Sequence, residues 1–245
     1  MTIVTPGSAE QAGRTAYLDV VVLHPRDAEA ATAGGADRVL LSSEPEDGHY
    51  SPDPAAVSAV LRETDLPVYP VLRTHDDDFA RLVDLGARYV ELGARGLAYG
   101  FLDRDLEVDR EECTEMYAEL TVPWLFHGFD TALDADRAWR DVADLPGLEA
   151  VISAGSTRGL THGADELITR SARDPRVARL VLAGGGLTPE VVPWLVRAGV
   201  RRFAIGSTAR SGHSWTRASV DEDHVRSWRM LVDDALSRAL GLPAD

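Results

Sequence analysis

The sequence contains no lysine; all 25 of its basic residues are arginine. That absence excludes the Schiff-base aldolase mechanism and pyridoxal-phosphate chemistry, both of which need a lysine amine for the covalent adduct. Asparagine is missing too, which removes one common ligand and oxyanion donor. A single cysteine, Cys113, excludes an intrachain disulfide and a cysteine-based zinc cluster. No apolar run reaches the roughly 20 residues of a membrane-spanning helix. Positive charge is in short supply: 40 acidic against 25 basic residues leave a net charge of −15. Such a field argues against a nucleic-acid backbone or an anionic membrane as partner. An anionic ligand has to be attracted locally, against the average field. Residues 1–16 lack a basic segment followed by an apolar one, so they read as a disordered tail and not a secretory signal, and the protein as cytoplasmic.

What is present points to one architecture. Strand-like and helix-like segments alternate along the 245 residues, as in an α/β fold with a parallel sheet. The length suits a single (β/α)8 TIM barrel spanning residues 17–241. Strands are expected at Tyr17–Leu23, Arg38–Ser42, Val68–Arg73, Val122–His127, Glu149–Ala154, Arg179–Ala183 and Arg201–Ile205. The fourth is ambiguous between Arg88–Leu92 and Gly96–Leu102. A helix through about residue 91 with the strand at Gly96–Leu102 is the preferred reading. Helices are expected at Asp27–Ala33, around Pro54–Arg62, and in the last stretch, where Val225, Trp228, Leu231, Val232, Ala235, Leu236 and Ala239 form an i, i+3, i+4 stripe.

Two glycine-rich strand ends about twenty residues apart carry the most specific signal. Leu180–Ala183 runs into Gly184-Gly185-Gly186, and Arg201–Ile205 runs into Gly206-Ser207-Thr208. Glycine there lets backbone N–H groups approach a ligand with no Cβ in the way. Barrels commonly build a phosphate site after strands seven and eight. A helix start at Thr188-Pro189-Glu190 would reinforce it, and Arg210 or Arg158 would supply bidentate counter-charge.

The segments together resemble the CutC family, named for copper homeostasis. The resemblance rests on Gly35–Val39, Pro67–Arg73, Asp78-Phe79, Gly100–Asp103 with Val108-Asp109, Phe126-His127 with Phe129-Asp130, and the glycine pair. It covers about Tyr17 to Leu240 and implies a TIM barrel, a homodimer and a possible copper cofactor. The chain departs from the family's pattern where that pattern offers thiols, since Val21 and Ser42 stand at those positions. Tyr69 replaces a third-strand histidine, and Phe126–Asp130 lacks the arginine of the family motif.

For acid–base catalysis His127 and Asp130 stand out: a histidine at a strand's C-terminal end, with a carboxylate to orient it. Arg73 is a candidate clamp for an anionic substrate or a partner for Asp19, a mid-strand carboxylate that needs one if buried. Asp103 and Ser153 are further ligand-binding candidates, and His24, Ser42, Tyr69 and Tyr99 are candidates to line the mouth. Cys113 and Met116, three apart on one helix face, are the only soft metal candidates. A buried hydrophobic pair is the simpler account of them. Asp76-Asp77-Asp78 suits a helix N-terminus better than a Mg²⁺ site. His162, His213 and Trp215 fall in loops on the functional side, and Trp139, Trp194 and Trp228 on outer helices. The reading is thus a binder or transformer of a small phosphate- or carboxylate-bearing metabolite, with Cu(I) binding as the alternative.

Overall fold

Short apolar runs become parallel strands here because both of their faces are covered, one by the barrel interior and one by helices. The strands are β1 (Tyr17–Val22), β2 (Arg38–Leu41), β3 (Val68–Pro70), β4 (Leu97–Tyr99), β5 (Trp124–Phe126), β6 (Leu148–Ser153), β7 (Val181–Ala183) and β8 (Arg202–Ile205). The computed structural model describes residues 16–43, 50–75 and 78–242. All pairings between these strands are parallel, in the order β3-β2-β1-β8-β7-β6-β5-β4. A parallel bridge between Val71 and Ala98, with Leu72 N donating to Ala98 O at 2.8 Å, joins the two outermost strands and completes the ring. This is the expected α/β (β/α)8 barrel.

The helices are α1 (Pro25–Ala33), α2 (Pro54–Glu63), α3 (Phe79–Leu92), α4 (Arg110–Leu120), α5 (Ala135–Val142), α6 (Leu160–Arg173), α7 (Pro175–Leu180), α8 (Val192–Arg197) and α9 (Glu222–Leu240). Much of the acidic composition is spent starting them. Asp53, Asp78, Asp109, Asp134 and Asp221 each cap a helix by accepting from an N–H two or three residues on. Each such cap is worth about 1 kcal/mol. Asp78 is therefore a cap, as the helix-start reading has it, while Asp76 and Asp77 lie outside the described residues.

The ambiguous fourth strand resolves as preferred. The helix α3 runs to Leu92, and Gly93 at φ 113° ends it in the left-handed region before β4. Two other boundaries need correction. Arg179 belongs to α7, which Asp174 caps and Pro175 opens, so β7 begins only at Val181. The helix expected to start at Thr188-Pro189-Glu190 starts later, with Pro193 in its first turn. Thr188–Val191 forms a turn, with Val191 N donating to Thr188 O at 3.3 Å, and α8 starts at Val192. No helix start at Thr188-Pro189-Glu190 therefore reinforces the glycine ends.

The core has two layers. The larger lies between the barrel and its helices; α9 contributes Val225, Trp228, Val232, Ala235 and Leu236, the expected stripe less two of its members. The smaller fills the barrel with Leu40, Tyr69, Val71, Ala98, Leu125, Ala150, Leu182 and Ala204. Ala16, at the end of the expected tail, is already in the core at 1% exposure. The rest of that tail lies outside the described residues.

Candidate functional site

At the C-terminal ends of the strands is a cavity of about 440 Å³. Its floor is Val21, Leu40, Val71, Ala98, Ile152 and Ala204, contributed by five strands and the residue just after β3. Its rim holds Ser42, His127, Gly184–Gly186, Gly206–Thr208 and Trp215. The two glycine ends, about twenty residues and one strand pairing apart, thus meet at one opening. Short side chains on the floor create the space, since alanine at two of its positions, Ala98 and Ala204, fills little of a barrel this wide.

The backbone at this rim is directed by its glycines. Gly185 and Gly186 lie at φ 77° and 91°, a region that side chains rarely adopt. Among the described residues, no hydrogen bond takes the N–H of either. Ser207 and Thr208 begin a 3-10 turn (Ser207–Ala209), and the first N–H groups of a helical turn have no partner within it. The rim therefore offers N–H groups from two strand ends. Gly206 has a different reason to be glycine: a Cβ there would sit 2.3 Å from the Trp215 ring.

The structure places the other sequence candidates variously. His127 lines the cavity at the end of β5. Asp130 is turned to β6, where Oδ1 accepts from Ser153 Oγ at 2.6 Å and Oδ2 from Ala154 N at 2.6 Å. Burial pushes the Asp130 carboxyl up, and those two donors pull it back down. Asp130 and Ser153 thus lock the turn after β5 to the end of β6. His127 lines the cavity, and both carboxylate oxygens of Asp130 accept from Ser153 and Ala154.

Arg210 was expected to meet a ligand, and the structure corrects this. Its side chain is fully buried against Asp27, with Nη2 to Oδ2 at 2.6 Å, and Nη1 donates to the carbonyls of Val21 and Gly206 at 3.1 and 3.0 Å. It holds the ends of β1 and β8 together from behind the rim. Asp27, which looked like an ordinary first-turn acid of α1, is the residue that sequence reasoning missed. It also accepts from Leu23 N at 3.0 Å and Val220 N at 2.8 Å.

Arg73 is exposed and lies over the Tyr50 ring, 5.4 Å from its centroid, outside the cavity lining. Asp103 folds its own loop, with Oδ1 accepting from Asp105 N and Glu107 N at 2.9 and 3.0 Å. Of the lining candidates, Ser42 reaches the cavity. His24 is exposed at the start of α1, and Tyr99 points outward to stack on Trp124 at 4.3 Å. Arg158 and His162 are exposed. His213 lines a separate cleft against α9, together with Thr188 and His224.

Asp19 does not pair with Arg73. Its Oδ2 accepts from Arg38 Nε and Nη2 at 3.0 and 2.7 Å. Arg38 Nη1 reaches across the barrel to Glu149 Oε2 at 2.9 Å, which also accepts from Tyr69 Oη at 2.9 Å. The Glu149 main-chain carbonyl accepts from Arg202. These residues come from β1, β2, β3, β6 and β8, so their contacts can only be made inside the barrel. They fill its N-terminal end, opposite the cavity. Burial pushes the Asp19 carboxyl up to about 6 against the pull of Arg38.

The donors required for copper fit poorly. Cys113 and Met116 share a face of α4, as expected, but both are fully buried in the core. Burial pushes the Cys113 thiol up to about 12, so the thiolate that binds Cu(I) is disfavoured. Among the described residues, no group of three or more His, Cys, Asp or Glu side chains is placed to hold a metal ion.

Fold and site define the chain as a (β/α)8 barrel with its cavity at the C-terminal mouth. The CutC family model matches residues 16–209, and the chain belongs to that family. A CutC family protein of Klebsiella pneumoniae strain 342 is 30% identical over 93% of this chain and 97% of its own length. The human copper homeostasis protein cutC homolog is 28% identical over 88% of this chain and 79% of its own. A crystal structure of CutC from Streptococcus agalactiae superposes with a TM-score of 0.67 at 18% identity, covering 78% of this chain and 98% of that one. The barrel of dihydrodipicolinate synthase from Bacillus clausii is also similar in fold, with a TM-score of 0.59 at 13% identity over 94% of this chain and 80% of that one. Among the described residues, no helix is long and apolar enough to cross a membrane.

Proposed function

We propose that the mouth binds a small anionic metabolite through a phosphate or carboxylate group. The observation that carries this reading is the meeting of two glycine strand ends, with Gly185 and Gly186 N–H groups unused, at one cavity. Backbone N–H groups attract an anion locally without side-chain charge, which suits a chain of net charge −15. His127 is the one titratable side chain among the described residues that line the cavity. In this reading His127 gives a proton to a bound ligand or takes one from it.

A thermal-shift titration with inorganic phosphate, glycerol phosphate and acetate tests the reading. A ligand at about a hundred times its Kd adds roughly 2.7 kcal/mol, or on the order of 5–10 °C in melting temperature. Gly186→Val, whose own unliganded melting is measured first, should lose that shift. No stabilisation by any of these oxyanions would overturn the proposal. Copper binding, which the family name implies, has its own arm: Cu(I) should give no shift that Cys113→Ala removes. We take the working form to be a homodimer, as the family resemblance implies. Sedimentation of the purified protein should then show one species of twice the chain mass.

A further inference from the structure

The cavity holds more than an anion site, and what it holds narrows the ligand class. At about 440 Å³ it is in the range of pockets for organic ligands and far larger than an inorganic oxyanion needs. Its floor of Val21, Leu40, Val71, Ala98, Ile152 and Ala204 carries no polar side chain. At its rim, beside the N–H groups of Ser207 and Thr208, is the indole of Trp215.

That indole is held in place deliberately by the surrounding chain. Residues 211–219 form a largely exposed loop whose two ends are fastened to the same buried carboxylate. Arg210 donates to Asp27 Oδ2 at 2.6 Å, and Val220 N donates to Oδ1 at 2.8 Å. Arg210 and Val220 also form an antiparallel bridge. From the middle of this closed loop Trp215 reaches back to the barrel. Its ring rests where a Gly206 Cβ would be, and the Arg210 guanidinium lies 4.6 Å from its centroid. A loop pinned at both ends loses little entropy when a ligand is bound, and an aromatic face favours flat, unsaturated partners.

We infer that the ligand is an oxyanion joined to a flat, unsaturated body: the phosphate or carboxylate at the glycine N–H groups, the body on the apolar floor, with Trp215 as its contact residue. This rests on the anion reading of the same mouth and adds the chemistry of the rest of the ligand.

The test compares phenyl phosphate and benzoate with inorganic phosphate, acetate and phenol, followed by tryptophan fluorescence and calorimetry. The expected result is that phenyl phosphate binds about tenfold or more tightly than inorganic phosphate, a difference of 1.4 kcal/mol per decade. Benzoate should exceed acetate likewise. Trp215→Ala should erase that preference while leaving inorganic phosphate binding unchanged, and Trp215→Phe should keep part of it. Unliganded melting of both variants checks that the loop's removal from the rim has not unfolded the barrel. Equal binding of phenyl phosphate and inorganic phosphate would overturn the inference while the anion site stands. The same follows if Trp215→Ala keeps the preference. Binding of phenol as tight as phenyl phosphate, or no binding of any probe, would overturn both readings.

Discussion

The two ends of the barrel interior solve the same packing problem in opposite ways. At the N-terminal end, Asp19, Arg38, Glu149, Tyr69 and Arg202 fill the space with long polar side chains that bond to one another. At the C-terminal end, short apolar side chains and glycine line an open cavity. A filled end contributes to one folded arrangement and offers little to a ligand. The open end gives up packing and keeps unused donors. Charge follows the same division: the charged groups close to the cavity, Asp27 and Arg210, neutralise each other behind the rim at 2.6 Å. The mouth is thus built from dipoles in place of ions.

The strongest way to break this comparison is at the filled end. Arg38→Met leaves the buried Asp19 and the half-exposed Glu149 without their shared cation. Loss of one partner from a buried pair costs about 3–5 kcal/mol, read as a lower midpoint in urea unfolding. Ligand affinity of the folded variant at the other end should stay within about twofold. A comparable loss of affinity would show that the two ends are not independent. At the open end, Gly206→Val forces Trp215 off the rim. We expect a smaller stability cost, about 1–3 kcal/mol as for other overpacked sites, with a changed tryptophan emission and loss of the preference for aromatic oxyanions.

The pH dependence sharpens the contrast further. Asp19 holds its proton to about pH 6 in the folded chain, against roughly 3.9 when unfolded. Between these values the folded state binds more protons, so stability from this group is full below the lower value and is lost as pH rises through about 6. Urea midpoints of the wild type minus those of Asp19→Asn should fall from pH 4 to about 6 and level off above 7. A rise over that interval would mean that the Arg38 pairing outweighs burial. The smallest effect is expected at Cys113→Ala, about 1 kcal/mol. In the native wild type, the thiol should react with a disulfide reagent only as fast as the chain opens.

The strands were legible wherever an apolar run ended in glycine or a turn residue, because a covered parallel strand has no polar face to confuse the pattern. The one ambiguous stretch, Arg88–Leu102, resolved through Gly93, whose left-handed backbone ends α3. One boundary failed for a tertiary reason. Thr188-Pro189 reads as a helix start, but the helix begins at Val192, where Val192 and Leu195 pack into the core. Trp215 was legible as a loop residue on the functional side, but its resting place against Gly206 was not, because that contact is tertiary.

By itself, the sequence determined the (β/α)8 barrel, the glycine ends of β7 and β8, and the exclusion of lysine chemistry. These follow from local periodicity, from glycine's missing Cβ, and from an absence that no fold can repair. Only the tertiary structure decided which charges meet. Twenty-five arginines and forty acids allow many pairings, and partners such as Asp27 and Arg210 lie 183 residues apart. Ring closure brings such residues together, so Asp19 went to Arg38, Asp130 to Ser153, and Arg210 to the wall behind the site it was expected to serve.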